Sequence, residues 1–433
     1  MFSIAERGSS VRNEVVGGIT TFVSMAYIIV VNPAILSAAG IPQGPSTVAT
    51  ILTAVFGTLL MGLYANRPIA VAPYMGENAF IAFGLAAFGI AWQQRLGAVF
   101  VSGVVFLIIT ILGIRTWLAD AISDSMKHSF AAGIGLFLTF IGLFESGIVR
   151  PAQAVPVQLG DVRATTVLLA VLGFVVTAAL LVRRVPGAIL IGIVVTAVTG
   201  YLLGEGKAPE RIMALPFTGA YDLGAIAFQL DVVSVLRISF FPILLTLFLM
   251  SLLDTLGTLV ALDTATGIPS DGKKSDLRKP MLVDALACMF SGVIGTSTSG
   301  AYIESSTGIR EGARTGLASV VTAALFALSL FFIPLLEPMQ SLRYAYAPAL
   351  LIVGMLMLTS VAKIDFDDLT ELVPAFTTVV VMVFTFNIAN GLTAGLALYP
   401  IMKILGGRGR ELRAGTIALA VMCGLYYLFG VPH

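Results

Sequence analysis

The chain has 433 residues, 58% of them hydrophobic and only 11% charged, with 25 Lys and Arg against 24 Asp and Glu. A soluble protein carries roughly 25% charged residues, and a mean hydropathy of +0.98 leaves more apolar surface than a water-soluble domain can bury. The near-neutral balance excludes a phosphate-neutralising surface for nucleic acid. Two cysteines, Cys288 and Cys423, lie in apolar surroundings that suggest neither a disulfide framework nor a metal site.

The sequence reads as an all-α polytopic membrane protein embedded in a lipid bilayer. A helix needs about 20 apolar residues to cross the hydrocarbon layer. Taken in order, such windows run over 15–33, 46–64, 95–114, 128–144, 165–182 and 187–204. They continue over 239–262, 280–294, 315–334, 347–362, 371–388 and 391–405. A further apolar stretch at 414–430 is either an extra crossing or an interfacial helix. Glu6, Arg7, Arg12 and Glu14 run straight into the first span, which is not the architecture of a cleavable signal.

Two stretches cannot be ordinary spanning helices. Residues 68–90 open with Pro68 and Pro73 and carry Glu77 and Asn78, while 295–309 are rich in Gly, Ser and Thr and carry Glu304. Such segments are tolerable only inside protein or beside a water-filled cavity. Each reads as a short extended piece followed by a half-helix. The first span begins at 15 and its counterpart at 239; the broken segments begin near 72 and 297; glycine-containing spans recur at 133–143 and 347–357. A near-constant offset implies two repeats of seven segments, and an odd number makes the second repeat enter from the opposite side. Paired discontinuous segments in inverted repeats point to a transporter site near the midplane. With the N-terminus in the cytoplasm, only Arg95, Arg150, Arg163, Lys207, Arg211, Arg237 and Arg343 fall outside, and the positive-inside rule favours that topology.

Few polar residues are left to carry chemistry. Asp254 is the one charge between Ile238 and Leu262. A carboxylate at that depth costs several kcal/mol or takes up a proton. It is either a structural hydrogen-bond partner for a neighbouring helix or a ligand for a proton or substrate. Ser251, Thr255 and Thr258 complete a polar stripe around it. Glu304 follows the extended TSTSGAY run, where a half-helix begins with Ser305 and Ser306. It either caps that helix or accepts from ring N–H groups of a planar heterocycle. Asn78 holds the corresponding place in the first repeat, where its amide either reads a base edge with a donor and an acceptor or closes the turn after Gly76. Glu77 fits gating, coupling or structure equally. Asp284 begins a span and reads as an interfacial or interhelical partner. Phe80, Phe83 and Tyr302 flank the broken segments and either stack on a ring or pack. His128 lies at the cytoplasmic end of a span, His433 is terminal, and 271–279 and 365–368 are polar loops. No phosphate-binding loop appears, so ATP does not drive the process directly. A nucleophile–base pair or metal cluster for an intramembrane enzyme is also missing.

The segments NEVVGGITTFVSMAYIIVVNPAILSAAG (13–40), APYMGENAF (72–80), LDTLGTLVAL (253–262), MLVDALACMFSGVIGTSTSGAYIESSTGIREGARTG (281–316) and IDFDDLTELVPAF (364–376) resemble the blocks of the AzgA-like purine permeases. These form a branch of the nucleobase/ascorbate transporter superfamily. The resemblance implies a fourteen-segment 7+7 inverted repeat with a core domain (1–125 and 238–340) and a gate domain (126–237 and 341–433). It implies proton symport of a purine nucleobase such as hypoxanthine, guanine or adenine by an elevator-like step. The only driving partner is the proton gradient, with no cofactor and no metal. A homodimer in the plasma membrane, N-terminus cytoplasmic, is the expected form. Asn78, Asp254 and Glu304 match family positions residue by residue. The expected substrate contacts are Glu304, Asn78, Ser305, Tyr302 and Phe80; the expected proton-coupling residues are Asp254, Glu304 and Glu77.

Two stretches depart from the family pattern, at three positions. Where the family commonly reads Gly-Met-Gly-Leu-Asn, this chain has Tyr74, Met75, Gly76, Glu77 and Asn78. Where many members carry a second acid, three residues before Asp254, this chain has Ser251. The alternative reading is an anion or other small-solute transporter on the same architecture. Carboxylates at the candidate positions oppose an anion, because like charges repel at low dielectric.

Overall fold

The computed structural model describes residues 2–85, 88–267 and 277–429. Most of the expected loop at 271–279, and His433, lie outside them. The first repeat runs α1 (Val11–Met25), α2 (Ile28–Ser37), α3 (Gln43–Leu63), β1 (Val71–Pro73), α4 (Met75–Ala79), α5 (Trp92–Ile111), α6 (Ile114–Asp120), α7 (Asp124–Glu145), the hairpin β2 (Val149–Pro151) and β3 (Val157–Leu159), α8 (Thr165–Val182) and α9 (Ala188–Leu202). A short α10 (Val232–Val235) leads into the second: α11 (Phe241–Thr266), α12 (Arg278–Ile294), β4 (Ser299–Ala301), α13 (Ser305–Arg310), α14 (Gly316–Ser329), α15 (Ile333–Gln340), α16 (Arg343–Leu358), α17 (Leu369–Phe384) and α18 (Ile388–Leu405). Helix α19 (Ala414–Phe429) follows.

Among the described residues, nine helical stretches are long and apolar enough to span a bilayer. The shorter α9, α12 and α17 and the two strand–half-helix segments, β1–α4 and β4–α13, complete the fourteen crossings of a 7+7 inverted repeat. The repeats interlock. Helix α5 packs on α12, α3 on α14, and α1 on α13 and α14, forming one body around the strands. Helix α7 packs on α16 and α17, α8 on α9 and α16, and α17 on α18, forming the other. Among the described residues, the hairpin β2–β3 has no counterpart in the second repeat, and it lengthens the path from α7 to α8.

The span expected at 15–33 is not continuous. Helix α1 stops at Met25 and α2 starts at Ile28, with Ala26 and Tyr27 in a turn between them. Pro33 inside α2 has no N–H to give the carbonyl of Ile29. The Gln340 side-chain amide supplies the missing donor at 3.0 Å. Helix α19 packs along α18. Near its start, Thr416 donates to the carbonyl of Ala121; near its end, Tyr426 donates to Asn390 Oδ1 at 2.6 Å, beside the start of α18. It therefore runs antiparallel to α18.

Strands β1 and β4 pair antiparallel, with Val71 opposite Ala301, Ala72 opposite Gly300 and Pro73 opposite Ser299. Lone strands in a membrane leave backbone groups unpaired, so each repeat needs the other to satisfy its broken segment. Gly300 is required for the crossing: a Cβ there would lie 2.0 Å from Tyr74 Oη.

Candidate functional site

The strand pair aims both half-helices at one place. The ladder is extended by Tyr74 N–H to the carbonyl of Thr298 and by Tyr302 N–H to the carbonyl of Ala70, each at 2.9 Å. Tyr74 and Tyr302 thus hold equivalent positions, immediately after β1 and β4. Their rings are nearly parallel, 8° apart in orientation with centroids separated by 6.4 Å. The Tyr74 hydroxyl meets Thr255 Oγ1 at 3.0 Å, and the Tyr302 hydroxyl donates to the carbonyl of Pro73.

A cavity of about 2700 Å³ opens between the two bodies at this crossing. The first body lines it with Tyr27, Tyr74, Met75, Gly76, Asp254, Tyr302 and Glu304, and the second with Phe130, Ile134, Val353 and Leu392. Its far lining includes Arg67, Lys127, His128, Arg184 and Arg310, at helix ends and loops. One wall is therefore polar and built on broken segments, the other apolar and built on regular helices.

Glu304 precedes α13, as expected, but its side chain does not cap that helix. One oxygen, Oε1, instead accepts from the Tyr27 hydroxyl at 2.7 Å. Thr307, on the next turn, donates to the Glu304 carbonyl at 2.6 Å and lies 3.0 Å from Ser24 Oγ. Asp254 lines the same cavity from α11, as does Thr258, while Thr255 is committed to Tyr74. The structure thus brings together Glu304, Asp254 and Tyr302 of the expected set.

The other four are placed away from the cavity. Glu77 is fully buried, and Ser251 donates to its carboxylate. Asn78 is also fully buried; its amide nitrogen donates to Asn32 Oδ1 at 2.9 Å, and its own Oδ1 has no partner among the described residues. Asn32 in turn donates to Thr50 at 2.8 Å and Thr296 at 2.9 Å, a fully buried hub tying three segments together. Ser305 accepts from the backbone N–H of Ala70 at 3.0 Å, which fastens the start of α13 to the approach to β1. Phe80 is buried where a π-helical turn (Phe80–Gly84) follows α4. Asp284, expected at an interface or between helices, is fully buried beside β4, its Oδ2 3.4 Å from the N–H of Ala301.

Tyr27 and Asn32 escaped sequence reasoning. Both sit in a window that reads as an ordinary span, and the one local signal of a break was Pro33 downstream.

A family model described as Permease family matches residues 12–393. A putative permease of Methanocaldococcus jannaschii is 44% identical, over 99% of this chain and 97% of that one. A guanine/hypoxanthine permease of Bacillus subtilis is 39% identical over 99% of both chains. An adenine permease of Escherichia coli is 38% identical over 98% of this chain and 95% of its own. Among solved structures, the transmembrane domain of a cyanobacterium bicarbonate transporter superposes with a TM-score of 0.64. It covers 88% of this chain and 97% of that one at 16% identity, a likeness of fold.

Proposed function

The chain belongs to the nucleobase/ascorbate transporter family, and from that premise we propose that it imports a purine nucleobase together with protons. The observation that carries this reading is the Glu304 carboxylate, held by Tyr27 and turned to the cavity instead of capping its helix. An ionised carboxylate is an acceptor only, so it suits the N–H edge of a neutral heterocycle. The relatives named for guanine/hypoxanthine and adenine supply the substrate class. Asp254 faces the same cavity from α11, where a carboxylate can bind and release the coupled proton.

The far lining of the cavity draws on Arg67, Lys127, Arg184 and Arg310, which the positive-inside rule assigns to the cytoplasm. The conformation is then inward-open, in a plasma-membrane protein with its N-terminus inside. The apolar wall of α7, α16 and α18 belongs to a gate (126–237 and 341–433), and the strands to a core (1–125 and 238–340) that moves against it in an elevator-like step. A homodimer would anchor the gate. Asn78 and Phe80 support the half-helix from behind in this state, and Glu77 is a buried third carboxylate in the proton path.

The bicarbonate transporter's likeness favours a second reading, an anion carrier. The carboxylates of Asp254 and Glu304, both on the cavity wall, oppose it. Reconstituted protein given labelled guanine, hypoxanthine and adenine decides between them. Saturable uptake that collapses with a protonophore and is abolished by Glu304→Gln is expected; purine uptake at the parental rate in Glu304→Gln would remove Glu304 from the site.

A further inference from the structure

We propose that residues 212–238 form a belt seated in the lipid headgroup layer, on the membrane face away from the charged rim of the cavity, and that the belt anchors the strand-bearing body at that depth. The inference is independent of the solute carried. Helix α9 starts at Ala188, which lines the cavity near Arg184, and α11 ends just past Asp263, which lines it too. The connection from Leu202 to Phe241 therefore lies at the opposite face.

The belt is fastened to the strand-bearing body. The backbone N–H groups of Ala214, Phe228 and Asp231 donate to the carbonyls of Phe331 at 3.0 Å, Val293 at 2.8 Å and Gln93 at 2.9 Å. Tyr221 donates to Glu337 Oε2 at 2.6 Å. These partners lie just after α14, on α12, on α5 and on α15. Upstream, the carbonyl of Glu205 accepts from Tyr344 on α16, in the other body. The chain thus passes from one body to the other within 206–213, and the belt beyond moves with the strands.

Its outward side is apolar. Leu215, Phe228, Val233, Leu236 and Ile238 are between 69% and 80% exposed. Between Arg211 and Arg237 the only charges are Asp222 and Asp231. Each is spent on a turn, accepting from the N–H of Gly224 at 2.9 Å and of Ser234 at 3.0 Å. Phe228 holds φ at +60°, a conformation that bulky residues rarely adopt, while its N–H stays tied to Val293. Apolar side chains presented together mark a contact surface and not a solvated loop. The hydrocarbon interior would reject the irregular backbone of the same segment. The headgroup layer accepts both, because water serves the backbone while apolar side chains reach about 5–10 Å below. Spanning helices at both ends hold the belt at that layer, which favours lipid over a protein partner.

The test uses Phe228→Cys, Val233→Cys and Ile238→Cys in the full-length protein, whose native Cys288 and Cys423 are buried. Lys207→Cys, at an exposed position before the belt, is the water-facing reference. Each variant carries an environment-sensitive fluorophore in phosphatidylcholine vesicles and meets two quenchers: iodide in the water, and phosphatidylcholine with a nitroxide high on its acyl chain. At the three belt positions the nitroxide should quench at least about threefold more than at position 207, and iodide about threefold less, as side chains just below the headgroups require. Iodide quenching equal to that at position 207 overturns the proposal. Protection from both quenchers overturns it too, since a second copy of the chain would then cover the belt. Stronger quenching by a nitroxide at the end of the acyl chain would place the segment in the hydrocarbon and overturn the headgroup assignment. Each position reads the belt separately, so a variant that fails to fold leaves the decision to the other two.

Discussion

Ser251 on α11 lies 3.2 and 3.0 Å from the two carboxylate oxygens of Glu77 on α4, donating its one hydroxyl proton between them, and both residues are buried. Both are positions at which the sequence departs from the family pattern, as it also does at Tyr74. The pattern carries an acid at the position of Ser251 and leucine at that of Glu77. A carboxylate on either residue occupies the same buried space between α4 and α11.

That relationship predicts a swap. Glu77→Leu alone should lower nucleobase uptake by about tenfold or more, since a buried acid in a transport path is seldom neutral to remove. Ser251→Asp alone places two carboxylates in contact and should depress thermal stability. The double variant Glu77→Leu/Ser251→Asp should recover uptake to within about threefold of the parent, a coupling that additive effects cannot produce. Uptake measured across the four proteins checks it. A double variant no better than Glu77→Leu sinks the idea that the position of the charge, and not of the residue, matters.

Asp254 faces the cavity from the middle of α11. Asp254→Asn keeps the shape and removes the titrating oxygen. Exchange of labelled for unlabelled base across proteoliposomes should continue, while accumulation driven by an inward proton gradient should fall to the equilibrative level. Both are read in one vesicle preparation. Gradient-driven accumulation that survives the substitution would move the coupling proton to Glu304 or Glu77.

The broken segments were legible in the sequence because they violate what lipid permits. Pro73, Gly76 and Glu77 in one, and the Gly/Ser/Thr run before Glu304 in the other, have no place on a lipid-facing helix. The repeat was legible because their spacing recurs. Which broken-segment side chains reach the cavity was not. Asn78 and Ser305 look like site residues by position, yet Asn78 is turned to Asn32, 46 residues earlier, and Ser305 to Ala70, 235 residues earlier. Tyr27 shows the reverse. Nothing in its own span marks it, and its hydroxyl's partner is Glu304, 277 residues along the chain. Partners at such separation leave no local period to read.

Glu14, read in the sequence only as part of the charged N-terminal flank, is fully buried. Its Oε1 accepts from the backbone N–H groups of Arg314 at 2.8 Å and Thr315 at 3.1 Å, and its Oε2 from Ala318 at 3.3 Å. These are the donors a helix start leaves unmatched, and the positive end of α14 favours a carboxylate there. The contact also fixes the loop that follows α13. Glu14→Ala should cost about 2 kcal/mol, seen as a lower melting temperature in detergent, and Glu14→Gln should cost less because one carbonyl oxygen remains. A melting temperature unchanged in Glu14→Ala would show that water satisfies these donors equally well.

Between the start of α17 and the end of α18, Lys403 meets Glu371 at 2.9 Å, Glu411 at 3.2 Å and Asp368 at 3.5 Å, and Arg408 also bonds Asp368. Partial burial pushes the Asp368 carboxyl up, but hydrogen bonds from the Thr370 side chain and backbone, with Lys403 and Arg408 alongside, bring it down to about 2 from its ordinary 3.8. A carboxyl lowered on folding stabilises the protein fully above its unfolded value and loses that contribution as the pH falls through the folded one. Asp368 therefore stays ionised, and its ion pairs intact, throughout pH 5–8. Any change of uptake in that range must come from other groups, which the proposed function places at Asp254, Glu304 and Glu77. Asp368→Asn should lower the melting temperature by the same few degrees at pH 5 and at pH 8 and leave the shape of the uptake–pH profile untouched. A profile whose midpoint moves in Asp368→Asn would transfer the pH dependence from the carboxylates near the strand crossing to this cluster.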